Sequence, residues 1–209
     1  MGYSQAMEGE RYRADFVPRR APEGFRPRQV ELLDRLEAYF FAHGYRSAPM
    51  ERLARELRCS KRALYELAPS RPDLFALIVD RWTRRVLRLG QTARKGEVDP
   101  RRQLAAYLEP GVVETAGIQP IFLEDLHALP QTRAILADHQ SRRMQDVRDI
   151  IENGKKSGHF KSVHATLVAA ICLATIERIN DPGLLREAEL SFSDAFKELY
   201  AIVLNGIDR

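Results

Sequence analysis

The chain has 209 residues, of which 44% are hydrophobic and 30% are charged. This length allows one large domain or two modest ones with a substantial core, and the composition is that of an ordinary globular protein. No apolar run is long enough to cross a bilayer, and residues 1–27 lack the apolar segment of a secretory signal. Cys59 and Cys172 are isolated thiols, which fit a reducing compartment better than a disulfide framework. We therefore expect a cytoplasmic protein.

The net charge of +4 is unevenly distributed along the chain. Through Lys95 there are 20 Lys and Arg residues against 12 Asp and Glu, a net of +8, whereas the remainder has 13 against 17, a net of −4. A basic first part predicts a polyanion as the partner of that part alone. A membrane surface would also attract this charge, but no basic helix shows the broad apolar face that insertion requires.

Residues 1–27 contain arginines, prolines and glycines with little periodicity, which predicts a flexible basic arm. If the chain binds DNA, the arginines of this arm would reach the minor groove or the phosphates. The alternative is a solvated tail without a partner.

Two amphipathic helices are predicted next. The first spans residues 27–45, with apolar positions at helical spacing and Gly44 as the left-handed residue that ends it. The second spans residues 49–57, and Pro49 suits its first position, where a missing N–H costs nothing.

A third short helix follows after a tight turn. Ser60 is placed to cap this helix, Leu64 and Leu67 form its apolar side, and its first turn is basic. Two short helices joined by a tight turn, the second with basic side chains at its start, predict a helix-turn-helix. Such a motif places the first turn of its second helix against base edges in the major groove of DNA.

The order and spacing of residues from Arg28 to Leu74 resemble the N-terminal DNA-binding domain of the tetracycline-repressor (TetR) family. The matching residues are Gly44-Tyr45, Leu53-Ala54, Cys59-Ser60-Lys61, Leu64-Tyr65 and Pro69-Ser70-Arg71. The resemblance implies a helix-turn-helix domain at residues 28–73 and a helical regulatory and dimerisation domain at residues 74–209. It also implies that bases are contacted by Lys61, Arg62 and Ala63, and phosphates by Ser60, Tyr65 and Arg71.

The chain departs from the family pattern at several positions in this motif. The family usually has Thr or Ser where Ala48 and Pro49 stand, and Gly where Arg58 and Arg62 stand. The two arginines add positive charge on the side expected to face DNA, so the departures affect the expected base preference rather than DNA binding itself.

The remainder of the chain predicts further helices and no strand, so the expected fold is all-α with roughly nine helices. A long helix runs to about Lys95, and the following helix, at residues 101–115, should break or kink at Pro110-Gly111. The most apolar helix spans residues 163–179, and a single last helix runs from Leu184 to Leu204.

Several aromatic and imidazole side chains lie on the helices that surround an effector cavity in proteins similar to this one. We expect such a cavity to be lined by Trp82, Tyr107, Phe122, His127, His139 and Met144. The alternative is that these residues form plain core. Aromatic rings with a few imidazoles would suit an apolar ligand with one or two polar handles.

Metal binding and catalysis have little support in the sequence. A metal cluster could be imagined from Glu124, Asp125, His127, Asp138 and His139, but no His-x-x-x-His or Cys-x-x-Cys spacing supports one. No Gly-rich phosphate loop or nucleophile elbow is present either. We therefore expect no metal, no cofactor and no enzymatic activity.

The last predicted helices are so apolar that a monomer would expose a large patch, which soluble proteins avoid. The resemblance implies that they form a homodimer, with an interface at Ala169, Ala170, Ala174, Phe192, Phe196 and Leu199. We therefore expect a homodimeric transcriptional regulator that binds a double-stranded DNA operator and is released by a small apolar or aromatic effector, as a repressor is. The alternative is a helical small-molecule binding or protein-interaction module that has lost sequence-specific DNA binding.

Overall fold

The computed structural model describes residues 24–207, and this part of the chain is helical without a β-strand. Its helices are α1 (Pro27–His43), α2 (Met50–Glu56), α3 (Lys61–Leu67), α4 (Arg71–Ala93), α5 (Pro100–Val113), α6 (Pro120–Ala128), α7 (Pro130–Lys156), α8 (Ala165–Ile179), α9 (Pro182–Glu187) and α10 (Phe192–Ile207). The all-α class is therefore confirmed. Residues 1–23 of the expected arm lie outside the described residues, so the arm stays a prediction.

The three N-terminal helices pack around a small apolar core. Leu33 and Leu36 of α1, Leu53 of α2 and Leu64 of α3 are each at most 1% exposed. These residues recur at helical spacing on the inner face of their helices, which is why the pattern predicted the elements correctly. We call α1, α2 and α3 the head.

Helix α4 links the head to the rest of the protein, which we call the body. It packs against α1 on one side and against α5 and α7 on the other. Leu74 and Phe75 at its start are fully buried, and Trp82 and Val86 further along are also buried. In the body, α7 packs against α4, α5, α6 and α8, while α10 packs against α5 and α8.

The segment predicted as one last helix is two helices in the structure, so that prediction is wrong. Helix α9 ends at Glu187 and α10 begins at Phe192. Between them Glu189 has a φ of 54°, a left-handed conformation that interrupts a right-handed helix. Ser191 then caps α10, because its hydroxyl accepts a hydrogen bond from the Asp194 N–H at 3.1 Å.

Pro110 lies in the interior of α5 and does not end it. A proline removes one intrahelical hydrogen bond, but the helix continues, with the Glu114 N–H bonded to the Pro110 carbonyl at 3.0 Å. Gly111 is required beside it, because a Cβ there would lie 2.7 Å from the hydroxyl oxygen of Tyr200. Close packing of α5 against α10 therefore favours glycine at position 111. The helix therefore does not break at Pro110-Gly111, and the alternative expectation, a kink, stays a prediction.

No helix among residues 24–207 combines the length and the apolar character needed to cross a bilayer.

Candidate DNA-binding surface and internal cavity

Helices α2 and α3 form a helix-turn-helix with a short turn between them. The turn is closed by a hydrogen bond of 2.9 Å from the Cys59 N–H to the Ala54 carbonyl. Arg58 in this turn has a φ of 48°, so an arginine adopts a conformation that glycine reaches with less strain. From α1, Arg35 donates a hydrogen bond of 2.6 Å to the Leu57 carbonyl and braces the turn.

The two helices of the motif begin differently. The Ser60 hydroxyl accepts a hydrogen bond of 3.1 Å from the Ala63 N–H, as the sequence predicted for α3. Pro49 was predicted as the first residue of α2, but it is the N-cap residue, and the helix begins at Met50. No side-chain hydrogen bond caps this helix. Ala48 before it is completely buried. The head therefore keeps α2 in place by packing, without the hydroxyl usual at this point.

The exposed side of α3 presents Lys61, Arg62 and Tyr65. The Arg62 side chain is 89% exposed and pairs with Glu66 one turn further along, at 3.1 Å. Lys61 pairs with Glu51 of α2, and this ion pair raises the pKa of the lysine and lowers the pKa of the glutamate. Surface ion pairs contribute little to stability, so both cations can exchange their partners for phosphates or base edges. Tyr65 is 47% exposed.

The helix-turn-helix and the segment before it carry further exposed basic side chains. Four arginines on or beside the motif are exposed, namely Arg46, Arg52, Arg55 and Arg58. Ser60 is also exposed, and Ala63 is partly buried. Arg46 and Arg52 are paired with Asp125 and Glu56, whereas no ion pair within residues 24–207 engages Arg55 or Arg58.

Arg71 at the start of α4 has a structural role that the sequence did not indicate. Its guanidinium donates a hydrogen bond of 3.0 Å to the Ala48 carbonyl and lies 5.6 Å from the centroid of the Tyr45 ring. These contacts tie α4 to the segment between α1 and α2. Its predicted contact with a DNA phosphate stays a prediction.

Helix α6 is attached to the head by a buried carboxylate, Asp125, which the sequence suggested only as a possible member of a metal cluster. Asp125, with no exposed surface, accepts hydrogen bonds from the N–H groups of Tyr45 at 2.7 Å and Arg46 at 3.2 Å. It also pairs with the Arg46 guanidinium, and this hydrogen bond raises the pKa of Arg46. Gly44 is needed here, because its φ is 67° and a Cβ would clash with the Asp125 carboxylate. Its ψ of 168° is extended, so the predicted left-handed helical conformation is wrong.

A group of aromatic rings joins the head to the body beside this contact. The ring of Phe122 lies 4.9 Å from Phe41, 5.2 Å from Phe75 and 5.9 Å from Trp82, measured between centroids. All three pairs are edge-to-face, which is a favourable arrangement of aromatic quadrupoles. The ring of Trp82 itself lies 5.9 Å from that of Phe41, so on one side Trp82 contacts the head.

On its other side, Trp82 lines a cavity inside the body, between α4, α5, α7, α8 and α10. Met144 of α7 and Phe192 and Phe196 of α10 form much of its apolar wall. Its volume is about 40 Å³. A dry cavity that admits benzene measures about 150 Å³, so an organic ligand would have to displace side chains in order to enter.

The polar side of the cavity is formed by His139, Gln140, Arg143 and Tyr200. Arg143 is only 4% exposed; its Nη2 lies 3.5 Å from the Tyr200 hydroxyl, and its guanidinium lies 5.0 Å from the centroid of the Tyr107 ring. Burial, together with the positive charge of Arg143 and of nearby Arg142, lowers the pKa of His139 to about 3. The imidazole is therefore neutral at physiological pH.

Three of the six residues predicted to line a cavity do so, namely Trp82, His139 and Met144. The hydroxyl of Tyr107 donates to the Asp146 carboxylate at 2.9 Å, outside the cavity, and Phe122 belongs to the aromatic contact with the head. His127, whose pKa is lowered mainly by burial, contacts the backbone of Asn180 at the end of α8.

The cavity residues missed from the sequence carry a recognisable signal. Gln140 and Arg143 lie four and seven residues after Leu136, on the stripe of α7 that continues to Val147. This stripe is buried, and apolar residues are expected at its positions. Two polar residues at apolar positions of an amphipathic helix indicate a polar site inside the protein.

The residues predicted at a dimer interface are divided between core and surface. Phe192, Phe196 and Leu199 are buried inside the protomer, as is Ala169. Ala170 and Ala174 are exposed on α8. Large apolar side chains beside them are also exposed, namely Leu167 and Ile171 of α8 and Ile202 of α10, at 59%, 55% and 69%.

The side chains considered for a metal cluster are not brought together. Asp125 is bonded to the head, whereas His139 lies at the cavity. Within residues 24–207 no group of three or more His, Cys, Asp or Glu side chains is arranged to hold a metal ion.

A helix-turn-helix head joined by a long helix to a body of packed helices is the fold of TetR-family transcriptional regulators. One solved structure with this fold is a transcriptional regulator from Saccharomonospora viridis in complex with choline. The match covers 87% of this chain and 98% of the regulator's chain, with a TM-score of 0.71 and 18% sequence identity. The match to a TetR-family regulator from Agrobacterium tumefaciens covers 87% of this chain and 97% of that chain, with a TM-score of 0.67 and 18% sequence identity. The match to the TetR-family regulator PfmR from Thermus thermophilus covers 85% of this chain and 99% of that chain, with a TM-score of 0.64 and 20% sequence identity. No protein-family model and no curated protein matches the sequence.

Proposed function

We propose that this protein is a homodimeric transcriptional regulator that binds double-stranded DNA through α3 and is released by a small-molecule effector, as a repressor is. The observation that carries the proposal is the exposed recognition helix, with Lys61, Arg62 and Tyr65 projecting from a packed helix-turn-helix. It stands in a fold whose solved examples include several transcriptional regulators. We propose with it that this activity needs no cofactor and takes place in the cytoplasm, where the DNA would be.

The exposed apolar face of α8 and α10 supports a dimer. Leu167 and Ile171 lie one turn apart on α8 with Ala170 and Ala174 also exposed, and Ile202 is exposed on α10, which packs against α8. Two copies of this helix pair would form a four-helix bundle, and small alanines permit close approach of the helices. A two-fold dimer would place its recognition helices about 34–36 Å apart, one turn of duplex DNA.

The position of the cavity supports control by an effector. Trp82 lines the cavity and also contacts Phe41 of the head, so a ligand that moves this ring acts directly on the head. The Saccharomonospora viridis regulator, which holds choline, is an example of this fold with a small organic molecule bound. A ligand releases DNA only if it binds the DNA-incompetent conformation more tightly.

A gel-shift titration with the intergenic DNA upstream of the protein's own gene tests DNA binding. The wild-type protein should bind this DNA more tightly than a scrambled duplex. If Arg62 contacts a base edge, Arg62→Ala should cost about 1–3 kcal/mol on the specific site and much less on the scrambled one. The matched control is Arg142→Ala, because Arg142 is an exposed arginine on α7 that also pairs with an acid one turn away. Equal losses on both duplexes would refute base reading by Arg62.

The salt dependence of the same titration separates the proposal from its alternative, a helical binding module without sequence-specific DNA recognition. The missing side-chain cap at Pro49 favours this alternative. A dimer that makes roughly six to ten phosphate contacts should lose about 10³–10⁵ in affinity between 50 and 200 mM salt. A nearly flat dependence would favour the alternative.

A further inference from the structure

We propose that the body cavity binds a carboxylate, whose head group pairs with Arg143 and whose apolar body packs between Trp82, Phe192 and Phe196. This inference rests on the proposed function and deepens it, because it names the chemical class of the effector as a small amphipathic acid.

The first argument is the uncompensated charge of Arg143. The residue is 4% exposed, and its Nη1 has no hydrogen-bond partner within residues 24–207. The groups that its guanidinium contacts are neutral, namely the Tyr200 hydroxyl and the face of the Tyr107 ring. Burying an unpaired cation is unfavourable, whereas a buried cation with a well-placed anion is greatly stabilised. An anion in the cavity would supply the missing counter-charge.

The acidic residues nearest in sequence on α7 are engaged elsewhere. Asp146 accepts hydrogen bonds from Tyr107 at 2.9 Å, Gln91 at 3.0 Å and Arg94 at 2.9 Å. Asp138 pairs with Arg142 on the protein surface. Neither carboxylate forms an ion pair with Arg143. The protein therefore holds a cation inside the body while its neighbouring acids face other partners.

The second argument is that the polar groups of the cavity offer hydrogen-bond donors. Within the described residues, the Gln140 Nε2 is buried without a partner, as is the Arg143 Nη1. The Tyr200 hydroxyl accepts from Arg143 and keeps its own proton to donate. A carboxylate only accepts hydrogen bonds, and arginine holds it in a planar, two-point contact. A cationic ligand would meet a like charge and donors that it cannot satisfy.

The third argument concerns size and the apolar wall. The cavity of about 40 Å³ is too small for a large ligand, so the body of the acid must be a short alkyl chain or a single ring. Met144 on the wall is unbranched and can change its rotamer to enlarge the space. Trp82 is the only tryptophan in the chain, so its emission reports ligand entry directly.

The experiment compares acids with neutral and cationic molecules of the same shape. Butanoate and benzoate are titrated into the full chain against 1-butanol, benzyl alcohol and butylamine, with Trp82 emission and the melting temperature as readouts. A hydrogen bond to a charged group corresponds to about a 10- to 100-fold change in binding, so the acids should bind tighter than the alcohols by that factor. Inorganic phosphate is added as a separate arm, and it should not compete.

Three variants test the role of Arg143. Arg143→Met keeps the length of the side chain and should abolish the preference for acids over alcohols. Arg143→Lys keeps the charge but loses the two-point contact, so its preference should be intermediate. The exposed Arg142→Met is the control and should match the wild type. Arg143→Met should melt no lower than the wild type without ligand, because it removes an unpaired buried charge.

The outcomes separate this inference from the proposed function. Equal binding of acids and alcohols by the wild type, or an unchanged preference in Arg143→Met, would overturn the carboxylate site. Competition by phosphate would also overturn it, because a general anion site would then be present. Operator binding is measured in parallel by gel shift. If the protein prefers acids but binds no DNA, the carboxylate site is supported and the proposed regulator function is refuted. If it binds its operator but shows no preference for acids, the regulator function is supported and the carboxylate site is refuted.

Discussion

Arginine occupies two positions in the helix-turn-helix where a smaller residue would be expected. Arg58 adopts a φ of 48° in the turn, which is strained for a residue with a Cβ. Arg62 stands almost fully in solvent on the first turn of α3. Neither side chain contributes to the core of the head, so packing does not explain its presence. Their positive charge beside the recognition helix is explained if this face binds a polyanion.

Replacing Arg58 with glycine should stabilise the protein. The left-handed conformation costs about 1–2 kcal/mol for an L-residue, and the greater freedom of glycine in the unfolded chain offsets about 0.5–1 kcal/mol of that gain. We expect the free energy of unfolding in urea to rise by about 0.5–1 kcal/mol. The control is Arg55→Gly in the helical part of α2, which should lower it by about 1 kcal/mol. A loss of stability in Arg58→Gly would show that the arginine makes a favourable contact in the turn.

His139 should make the protein sensitive to acid. Its pKa in the folded protein is lowered to about 3, against 6.5 for an unperturbed histidine. Between these values the unfolded chain binds a proton that the folded protein does not, so stability is complete above 6.5 and declines as the pH falls through this window. His139→Gln should therefore reduce the decline in unfolding free energy between about pH 7 and about pH 4, measured with urea. An unchanged pH dependence would contradict the assignment.

At the scale of the helix, α4 and α6 make the two connections between head and body. Helix α4 connects them covalently and places Trp82 between the cavity and the ring of Phe41. Helix α6 connects them through Asp125 and through Phe122, which packs against rings from both α1 and α4. A second hydrogen bond, of 2.9 Å, joins the Gln119 N–H at the start of α6 to the Phe41 carbonyl. A change in the body can therefore reach the head through either helix, and the ring of Phe122 touches both connections.

Asp125→Asn should weaken the connection made by α6. The amide keeps the shape of the carboxylate but loses the charge that accepts the N–H groups of Tyr45 and Arg46. Hydrogen bonds to a charged group contribute about 1.5–3 kcal/mol, so we expect a loss of that order in unfolding free energy, measured by urea denaturation. The control, Asp138→Asn, removes an exposed ion pair on α7 and should change it by less than about 1 kcal/mol. Equal effects of the two changes would refute the connection.

At the scale of the whole molecule, the protomer combines a packed interior with an unusually apolar surface on one side. The large aromatic side chains of α10 face the cavity, so they stabilise the protomer itself. Other large apolar residues of this helix pair, Leu167 and Ile171 of α8 and Ile202 of α10, are exposed. A surface of this kind is normally covered in a soluble protein. Dimerisation through it would bring the two heads into a fixed relation for binding two half-sites of DNA.

Ala170→Arg should produce monomers. The substitution places a charge in the middle of the exposed face of α8, where the partner helix would otherwise approach closely. We expect the mass measured by analytical ultracentrifugation to halve and the affinity for operator DNA to fall. The control is Ala42→Arg, the same change at an exposed alanine of α1. A variant that remains dimeric would place the interface elsewhere.

The sequence by itself determined the helical class, the helix-turn-helix and the cap of α3. These features depend on residues within a few positions of one another: Leu64 and Leu67 share one face of α3, and Ser60 reaches the N–H three residues ahead. Local spacing and local hydrogen bonding can be inferred from the amino-acid sequence alone. For the same reason Arg62 and Tyr65 could be predicted to face outward.

Only the tertiary structure decided which side of each apolar helix faces the interior. Phe192 and Phe196 line a cavity instead of a dimer interface, because α10 packs on α5 and α8 of its own chain. Helix α5 continues through Pro110, and Gly111 beside it lets Tyr200 of α10 approach closely. Arg143 acquires its significance only when five helices enclose it and leave its Nη1 without a partner among residues 24–207. Each of these features depends on residues distant in the chain, and their meeting is determined by packing that local periodicity does not encode.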